Sequence, residues 1–400
     1  YNFFYLKGLI MLIKITKQSM LFLLMLVLAS CVKNERAPKS LVVFGDSLSD
    51  QGNVFLIVNH VTSLRNIHMS TPPSSHNGHV FSNKLLAVEY LAQHYGIKLS
   101  PAWHYKKSSA DINKIKESYS NIFTSSTLNS DFQKEKKNSQ HYKEVSFLIK
   151  KILDNIHLPT LAGNNYAVSN ATIASDYSGL VDGLFNRLSL LYQIEKYKKD
   201  NKKDNKKDIK NTLFVIMIGG NDIINIARSS EPNKKEKISN LMPIMVKAIH
   251  KLQEFGAKKI LVVGAPNVGE APSFYNTSLE KITSKLSEQF NQELSQDITQ
   301  YFSKKQVAWL PISKQFSKIL KKWPDKIRHK ACVSDIVNHT FNVIKFLEHE
   351  ELEVKFVNGC TQSLLNNEKY AFYDIIHASD AVYRELSELL IQKTSDFLSQ

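Results

Sequence analysis

Three segments of this sequence, two of which contain glycine, hold residue types suited to nucleophilic catalysis. The first segment is Gly45–Asn53. Its Ser47 lies three positions after Phe44, the last residue of the apolar run Leu41–Phe44. A serine just past a buried strand and close to a glycine can occupy a tight turn with its hydroxyl exposed. The alternative is an ordinary strand-to-helix loop in which a Ser or Asp caps the helix.

The other two segments supply the groups that a serine nucleophile needs. Gly219–Asp222 follows a second apolar run, and the amide of Asn221 can donate to an oxyanion. The alternative is a glycine turn with a capping Asn or Asp. Asp374 precedes His377 by three residues. An acid so placed can fix the imidazole tautomer while the His activates a serine. Taken alone, such a pair is often a pair of surface residues.

The elements that would position these segments alternate along the chain. Strands are predicted at Leu41–Phe44, Leu213–Ile218 and Lys259–Val263, each followed by a glycine. Near-continuous apolar strands separated by helices indicate an α/β fold with a parallel sheet covered on both faces, whose ligands bind at the carboxyl ends of the strands. Helices are predicted over Lys84–Tyr95, Val145–Ile156, Arg187–Tyr197, Ile238–Phe255, Lys281–Tyr301 and Ser379–Leu398.

Taken together, the segments resemble the blocks of the GDSL family of serine esterases, also called SGNH hydrolases. The resemblance covers roughly residues 41–390 and implies a three-layer α/β/α fold with a flavodoxin-like parallel sheet. The matching segments are Phe44–Asp50 with Gly52-Asn53 (first block), Asn165–Thr172 (second block), Gly219–Asp222 (third block) and Asp374–His377 (fifth block), with lesser matches at Gly78–Asn83, Val88–Ala92 and Phe290-Asn291.

The resemblance implies a role for each site residue. Ser47 would attack an ester carbonyl, His377 would take its proton, and Asp374 would orient His377. The oxyanion would be held by the backbone N–H of Ser47, a backbone N–H at Asn170 and the side chain of Asn221.

Two positions depart from the family pattern. Asn170 stands where the second block usually has glycine, and Ala378 stands where proline usually follows the histidine. Asn keeps the backbone N–H and tolerates left-handed backbone conformations better than most residues. Neither departure removes a catalytic group.

The exported bacterial members that this sequence resembles are lysophospholipases, phospholipases A and glycerophospholipid:cholesterol acyltransferases. The resemblance therefore implies a serine esterase acting on phospholipid or lysophospholipid, with acyl transfer to an alcohol as a further activity. The alternatives are a carbohydrate or short-chain carboxylesterase on the same fold and a non-catalytic surface lipoprotein. No metal or cofactor is expected, since His76 and His79 have no further ligands nearby in the sequence.

The first 30 residues have the pattern of a signal peptide. Lys14 and Lys17 precede the apolar run Met20–Ala29, which is too short to span a bilayer. The ending Leu28–Cys31 resembles a bacterial lipobox, which predicts lipidation of Cys31 and a place in the cell envelope; the alternative is secretion after cleavage behind Ala29.

Translation is expected to start at Met11 or Met20, so that residues 1–10 would not be native. Residues 31–40 would then be a tether and 41–400 the hydrolase domain, with insertions near 104–141 and 198–210.

The remaining cysteines, Cys332 and Cys360, are predicted to form one disulfide, because disulfides persist in exported proteins. Two free thiols are the alternative.

The net charge of +15 reflects either a lysine-rich composition or attraction to an anionic membrane surface. Nucleic acid is not the expected partner, because the lysines are scattered and no nucleic-acid-binding module is present.

Overall fold

The computed structural model describes residues 37–57, 81–103, 163–174, 188–201, 209–333, 356–357, 359–361, 363–364 and 369–400. The signal segment with Cys31, the pair His76 and His79, the insertion at 104–141 and the helix predicted over Val145–Ile156 lie outside these ranges. The fold described below belongs to one compact unit, Pro38–Leu398.

Four parallel strands form the central sheet in the order β1-β2-β3-β4. They span Ser40–Gly45 (β1), Thr212–Met217 (β2), Lys259–Val263 (β3) and Val307–Leu310 (β4). All six residues of β2 are buried, as expected for a strand covered on both faces. The first three strands confirm the prediction to within a residue or two at each end, whereas β4 was not predicted.

An extended segment at residues 163–168 runs parallel to the outer edge of β1. The N–H of Tyr166 donates to the carbonyl of Val43 at 2.7 Å, and the N–H of Val168 donates to the carbonyl of Gly45 at 3.1 Å. With this segment counted as the second element of the sheet, the spatial order is 2-1-3-4-5. That is the flavodoxin-like order that the resemblance implied.

Helices cover the sheet in two layers. They are α1 (Ala87–His94), α2 (Leu190–Asn201), α3 (Gly220–Arg228), α4 (Lys234–Ser239), α5 (Met242–Glu254), α6 (Glu280–Tyr301), α7 (Ser313–Leu320), α8 (Asp325–Arg328) and α9 (Asp380–Leu398). α1 packs on α9 and α9 on α7, whereas α2, α3 and α4 pack together with α5 and α6 in the other layer. No helix within the described ranges is both long and apolar enough to cross a bilayer.

α3, α7 and α8 were not predicted, and two predicted helical stretches differ from the structure in their division or extent. The single helix predicted over Ile238–Phe255 is divided into α4 and α5, with Pro243 in the first turn of α5. Proline fits the first turn of a helix, where its missing N–H is not needed, but disrupts a helix interior. α2 extends to Asn201, four residues beyond the predicted end at Tyr197, so Lys198–Asn201 at the start of the 198–210 region continues the helix.

Candidate active site

The segment Gly45–Asn53, which carries Ser47, begins at the carboxyl end of β1, next to the carboxyl end of β2. The next element of the sheet along the chain, residues 163–168, lies on one side of β1 and β2 on the other, so the strand order reverses here. Open α/β sheets bind their ligands at this point. Gly45 ends β1 so close to β2 that a Cβ atom there would lie 2.3 Å from the carbonyl oxygen of Met217. Glycine is therefore required for the chain to leave the sheet in the turn that carries Ser47.

Ser47, His377 and Asp374 are joined by consecutive hydrogen bonds. The Oγ of Ser47 lies 2.8 Å from Nε2 of His377, across 330 residues of sequence. Nδ1 of the same ring lies 2.9 and 2.8 Å from Oδ1 and Oδ2 of Asp374. With the proton on Nδ1, Nε2 is an acceptor for the serine hydroxyl. The three groups are then arranged to remove a proton from Ser47 and to stabilise the resulting imidazolium.

The carboxylate of Asp374 is fixed by its own turn. Its Oδ1 accepts the backbone N–H groups of Ile376 at 2.8 Å and His377 at 2.7 Å, and its side chain is completely buried. The spacing of three residues therefore closes a local turn as well as orienting the ring. This arrangement leaves Asp374 little freedom to move away from the imidazole.

Phe81 lies against the His377 ring, with ring centroids 4.4 Å apart and an interplanar angle of 25°. Two residues further on, Oδ1 of Asn83 accepts the N–H of Asp380 at 2.9 Å, at the start of α9. Tyr90 of α1 donates its hydroxyl to Oδ1 of Asp380 at 2.6 Å. These contacts tie the Phe81 segment to the helix that follows His377. Phe81 was not predicted from the sequence to be part of the site; its only signal was the lesser match at Gly78–Asn83.

Asp50 joins the serine loop to the second block. Its Oδ2 accepts both the N–H and the hydroxyl of Ser169 at 2.7 Å, and its Oδ1 accepts the N–H of Asn53 at 2.6 Å. Burial raises the pKa of the Asp50 carboxyl, and the hydrogen bonds from Ser169 oppose that rise. The amide of Asn53 adds a second link by donating to the carbonyls of Asn165 and Ala167 at 2.8 and 2.7 Å.

The second and third blocks meet beside this loop. Nδ2 of Asn221 donates to the carbonyl of Ala171 at 2.9 Å, which leaves its other N–H for a ligand. Asn170 has φ 65°, a left-handed conformation that glycine adopts freely and Asn tolerates. Within the described residues, the backbone N–H groups of Ser47 and Asn170 donate to no other group. The arrangement thus offers three donors around the serine loop.

Asp46 is a second buried carboxyl close to His377. Burial raises its pKa to about 6, while the backbone N–H groups of Leu48, Gly219 and Gly220 and the charge of His377 favour the ionised form. The N–H of Leu48 donates to Oδ1 of Asp46 at 3.1 Å. Asp46 therefore contacts both the serine loop and the start of α3, which carries Asn221. No role was predicted for Asp46 from the sequence.

Cys332 and Cys360 form a disulfide, with their Cα atoms 5.3 Å apart. This confirms the predicted pairing and is typical of an exported protein. The backbone N–H groups of Cys332 and Val333 donate to the carbonyl of Tyr373 at 3.1 and 2.9 Å. The bridge therefore adjoins the residue that precedes Asp374.

Among the described residues, no cluster of His, Cys, Asp or Glu is arranged to hold a metal ion.

In the comparisons with known proteins, the family model described as GDSL-like Lipase/Acylhydrolase matches residues 41–390. The comparison with curated proteins found no match.

Proposed function

Since this chain belongs to the GDSL-like lipase/acylhydrolase family and is thus an ester-hydrolysing enzyme, we propose that it cleaves lipid esters through an acyl-enzyme on Ser47. The observation that carries this proposal is the 2.8 Å hydrogen bond between Ser47 and His377, continued by His377 to Asp374. A nucleophile bonded to a base that is itself oriented by a third group is the arrangement used for nucleophilic catalysis.

In the first half of the proposed reaction, Oγ of Ser47 attacks the ester carbonyl and its proton passes to Nε2 of His377. The carbonyl oxygen becomes an oxyanion, and Asp374 stabilises the imidazolium. As the tetrahedral intermediate collapses, the C–O bond to the leaving alcohol breaks and His377 gives that alcohol the proton. The acyl group then remains bound to Ser47.

The oxyanion would receive hydrogen bonds from the backbone N–H groups of Ser47 and Asn170 and from the amide of Asn221. The Asn221–Ala171 hydrogen bond supports this role, because it fixes the amide against the second block. Loss of one such donor typically lowers turnover by ~10²–10³-fold. We therefore expect Asn221→Ala to lower kcat by this factor while leaving KM within a few-fold.

In the second half, water attacks the acyl carbon while His377 takes its proton. The bond between the acyl carbon and Oγ of Ser47 then breaks, His377 returns the proton to Oγ, and the carboxylic acid leaves. An alcohol in place of water would give a new ester, which is the acyltransferase activity. The proposed substrates are phospholipid and lysophospholipid, supported by the lipase description of the family and by the second block Asn165–Thr172.

Product analysis with lysophosphatidylcholine, with and without cholesterol, tests the substrate class. We expect free fatty acid from the lysolipid alone, and cholesteryl ester in addition when cholesterol is present. A series of p-nitrophenyl esters of increasing chain length provides the comparison. Hydrolysis confined to acetyl and butyryl esters, with no fatty acid from the lysolipid, would favour the short-chain or carbohydrate esterase instead.

We place the enzyme in the bacterial cell envelope, anchored by lipid on Cys31. The proposal follows from the lipobox-like ending Leu28–Cys31, and the Cys332–Cys360 disulfide supports export. Metabolic labelling with a fatty acid should mark the wild type and not Cys31→Ser. Equal labelling of both proteins would contradict lipidation, and release of both into the medium would favour simple secretion.

A further inference from the structure

α7 and the residues after it are amphipathic. Phe316, Ile319 and Leu320 are buried, as is Trp323 in the following turn. Lys314, Lys318 and Lys321, spaced four and three residues apart, are exposed and occupy the opposite side of the helix. Lys326 and Lys330 continue as exposed residues after α7. We call the five residues Lys314, Lys318, Lys321, Lys326 and Lys330 the lysine face.

The lysine face carries positive charge that nearby acids do not neutralise. The only acid between Ser313 and Lys330 is Asp325, which pairs with Arg328 at 2.6 Å. Glu385 of the adjoining α9 pairs with Lys322 at 2.5 Å. Among the described residues, no carboxylate lies within ion-pair distance of a lysine-face residue.

The two longest helices, α6 and α9, mix their charges. α6 sets two lysines against Glu280, Glu288, Glu293 and Asp297, and α9 carries more acids than bases. The lysine-rich composition of the chain therefore does not by itself explain the charge of the lysine face. It is concentrated in one segment of 18 residues, Ser313–Lys330.

The same segment adjoins the chain that carries Asp374. Phe316 of α7 contacts Phe372, with ring centroids 6.2 Å apart, and Ala331 forms a parallel bridge with Phe372. Cys332 then donates its N–H to the carbonyl of Tyr373. A surface bound by the lysine face would therefore lie on the part of the molecule that supports the acid of the proposed triad.

We propose that the lysine face binds the surface of an anionic lipid membrane and docks the enzyme there. Lys314, Lys318 and Lys321 lie on one side of a helix, so they can approach a flat charged surface together, each within the ~8 Å Debye length at physiological salt. Basic residues close to an anionic membrane each add to its attraction. The choice of a membrane over another polyanion rests on the proposed function, because the proposed substrate is itself a membrane lipid.

Sedimentation with vesicles tests the proposal on the purified full-length chain. Vesicles of phosphatidylcholine alone are compared with vesicles that also contain phosphatidylglycerol, and the ratio of the two partition coefficients is the readout. The variant replaces all five lysine-face residues by Gln. A matched control replaces five exposed lysines elsewhere, namely Lys247, Lys258, Lys281, Lys285 and Lys304, and so has the same net charge.

We expect the lysine-face variant to lose more than about tenfold in the anionic-to-neutral ratio, and the control to lose less than about threefold. Raising the salt concentration should weaken wild-type binding to anionic vesicles. Equal losses in variant and control, or no preference of the wild type for anionic vesicles, would overturn the proposal. Tighter binding of the wild type to duplex DNA than to anionic vesicles would also overturn it.

Turnover of a soluble p-nitrophenyl ester separates this proposal from the proposed function. Both variants should retain wild-type turnover of that ester, since none of the replaced lysines touches Ser47, His377 or Asp374. If the wild type is inactive on every ester but still prefers anionic vesicles, the proposed function fails while the docking surface stands. If activity is present and the preference is absent, the docking surface fails alone.

Discussion

Replacing Asp374 by Asn should inactivate the enzyme by changing the tautomer of His377. In the wild type, Oδ1 of Asp374 accepts the N–H groups of Ile376 and His377, and both carboxylate oxygens face Nδ1 of the ring. An Asn keeps one oxygen for the backbone donors and puts its NH₂ in the place of Oδ2. That group donates to Nδ1, which must then be the acceptor.

The proton of the imidazole therefore moves to Nε2, 2.8 Å from the Oγ of Ser47. Nε2 then donates to the serine and cannot take its proton. The same change in a Ser-His-Asp triad lowers kcat by ~10⁴-fold, or about 5 kcal/mol. We expect a loss of this size in kcat/KM on p-nitrophenyl butyrate, with little change in the unfolding midpoint because the shape of the side chain is kept.

Asp380→Asn is the matched control. Asp380 is also a buried carboxylate of this region, bonded to Tyr90 and Arg384, but it makes no hydrogen bond to the imidazole. Its replacement should cost stability and less than about tenfold in activity. If Asp374→Asn kept more than about a tenth of wild-type activity, or lost no more than the control, the tautomer argument would be refuted.

Three further perturbations follow from the site. Asn170→Gly should keep or raise esterase activity, because the φ of 65° suits glycine and the backbone N–H remains; a drop of ~10²-fold would show that the side chain itself stabilises the transition state. Reducing the Cys332–Cys360 bond should lower the free energy of unfolding by about 3–4 kcal/mol in the loop-entropy model, and should lower both the melting temperature and turnover. If neither changed, the disulfide would not support the Asp374 segment. The raised pKa of Asp46, about 6 against 3.8, makes its contribution to stability fully present below about pH 4 and lost as the pH rises through 6. The unfolding free energy of Asp46→Asn relative to wild type should therefore rise by up to about 3 kcal/mol from pH 4 to 7 in denaturant titrations, and a flat difference would contradict the buried-carboxyl argument.

The strands that were predicted are those whose sequence is a buried apolar run ended by glycine. β1, β2 and β3 all have this form, and their carboxyl ends hold the first and third blocks. β4 has only four residues, Val307–Leu310, lies between Gln306 and Pro311, and is short enough to be overlooked. The boundary between α4 and α5 was missed because helical periodicity continues across it, and only Pro243 marks the new start.

The site residues could be proposed from the sequence only because the separated blocks resemble one family. No local pattern predicts a hydrogen bond across the 330 residues between Ser47 and His377. Phe81, Asp46 and Asp50 were missed for a different reason: their contacts with the site arise from burial and long-range packing, which periodicity does not reveal.

The central claim, that Ser47 is the nucleophile, is tested most directly by covalent labelling with a fluorophosphonate followed by peptide mass mapping. Ser49 offers a matched control, since it lies in the same loop, is completely buried, and its Oγ has no hydrogen-bond partner among the described residues. We predict one adduct per chain, on Ser47, in the wild type and in Ser49→Ala. Ser47→Ala should show no adduct and lose ester hydrolysis by more than ~10³-fold while keeping its melting temperature. An adduct on another residue, or ester hydrolysis retained by Ser47→Ala, would contradict the assignment.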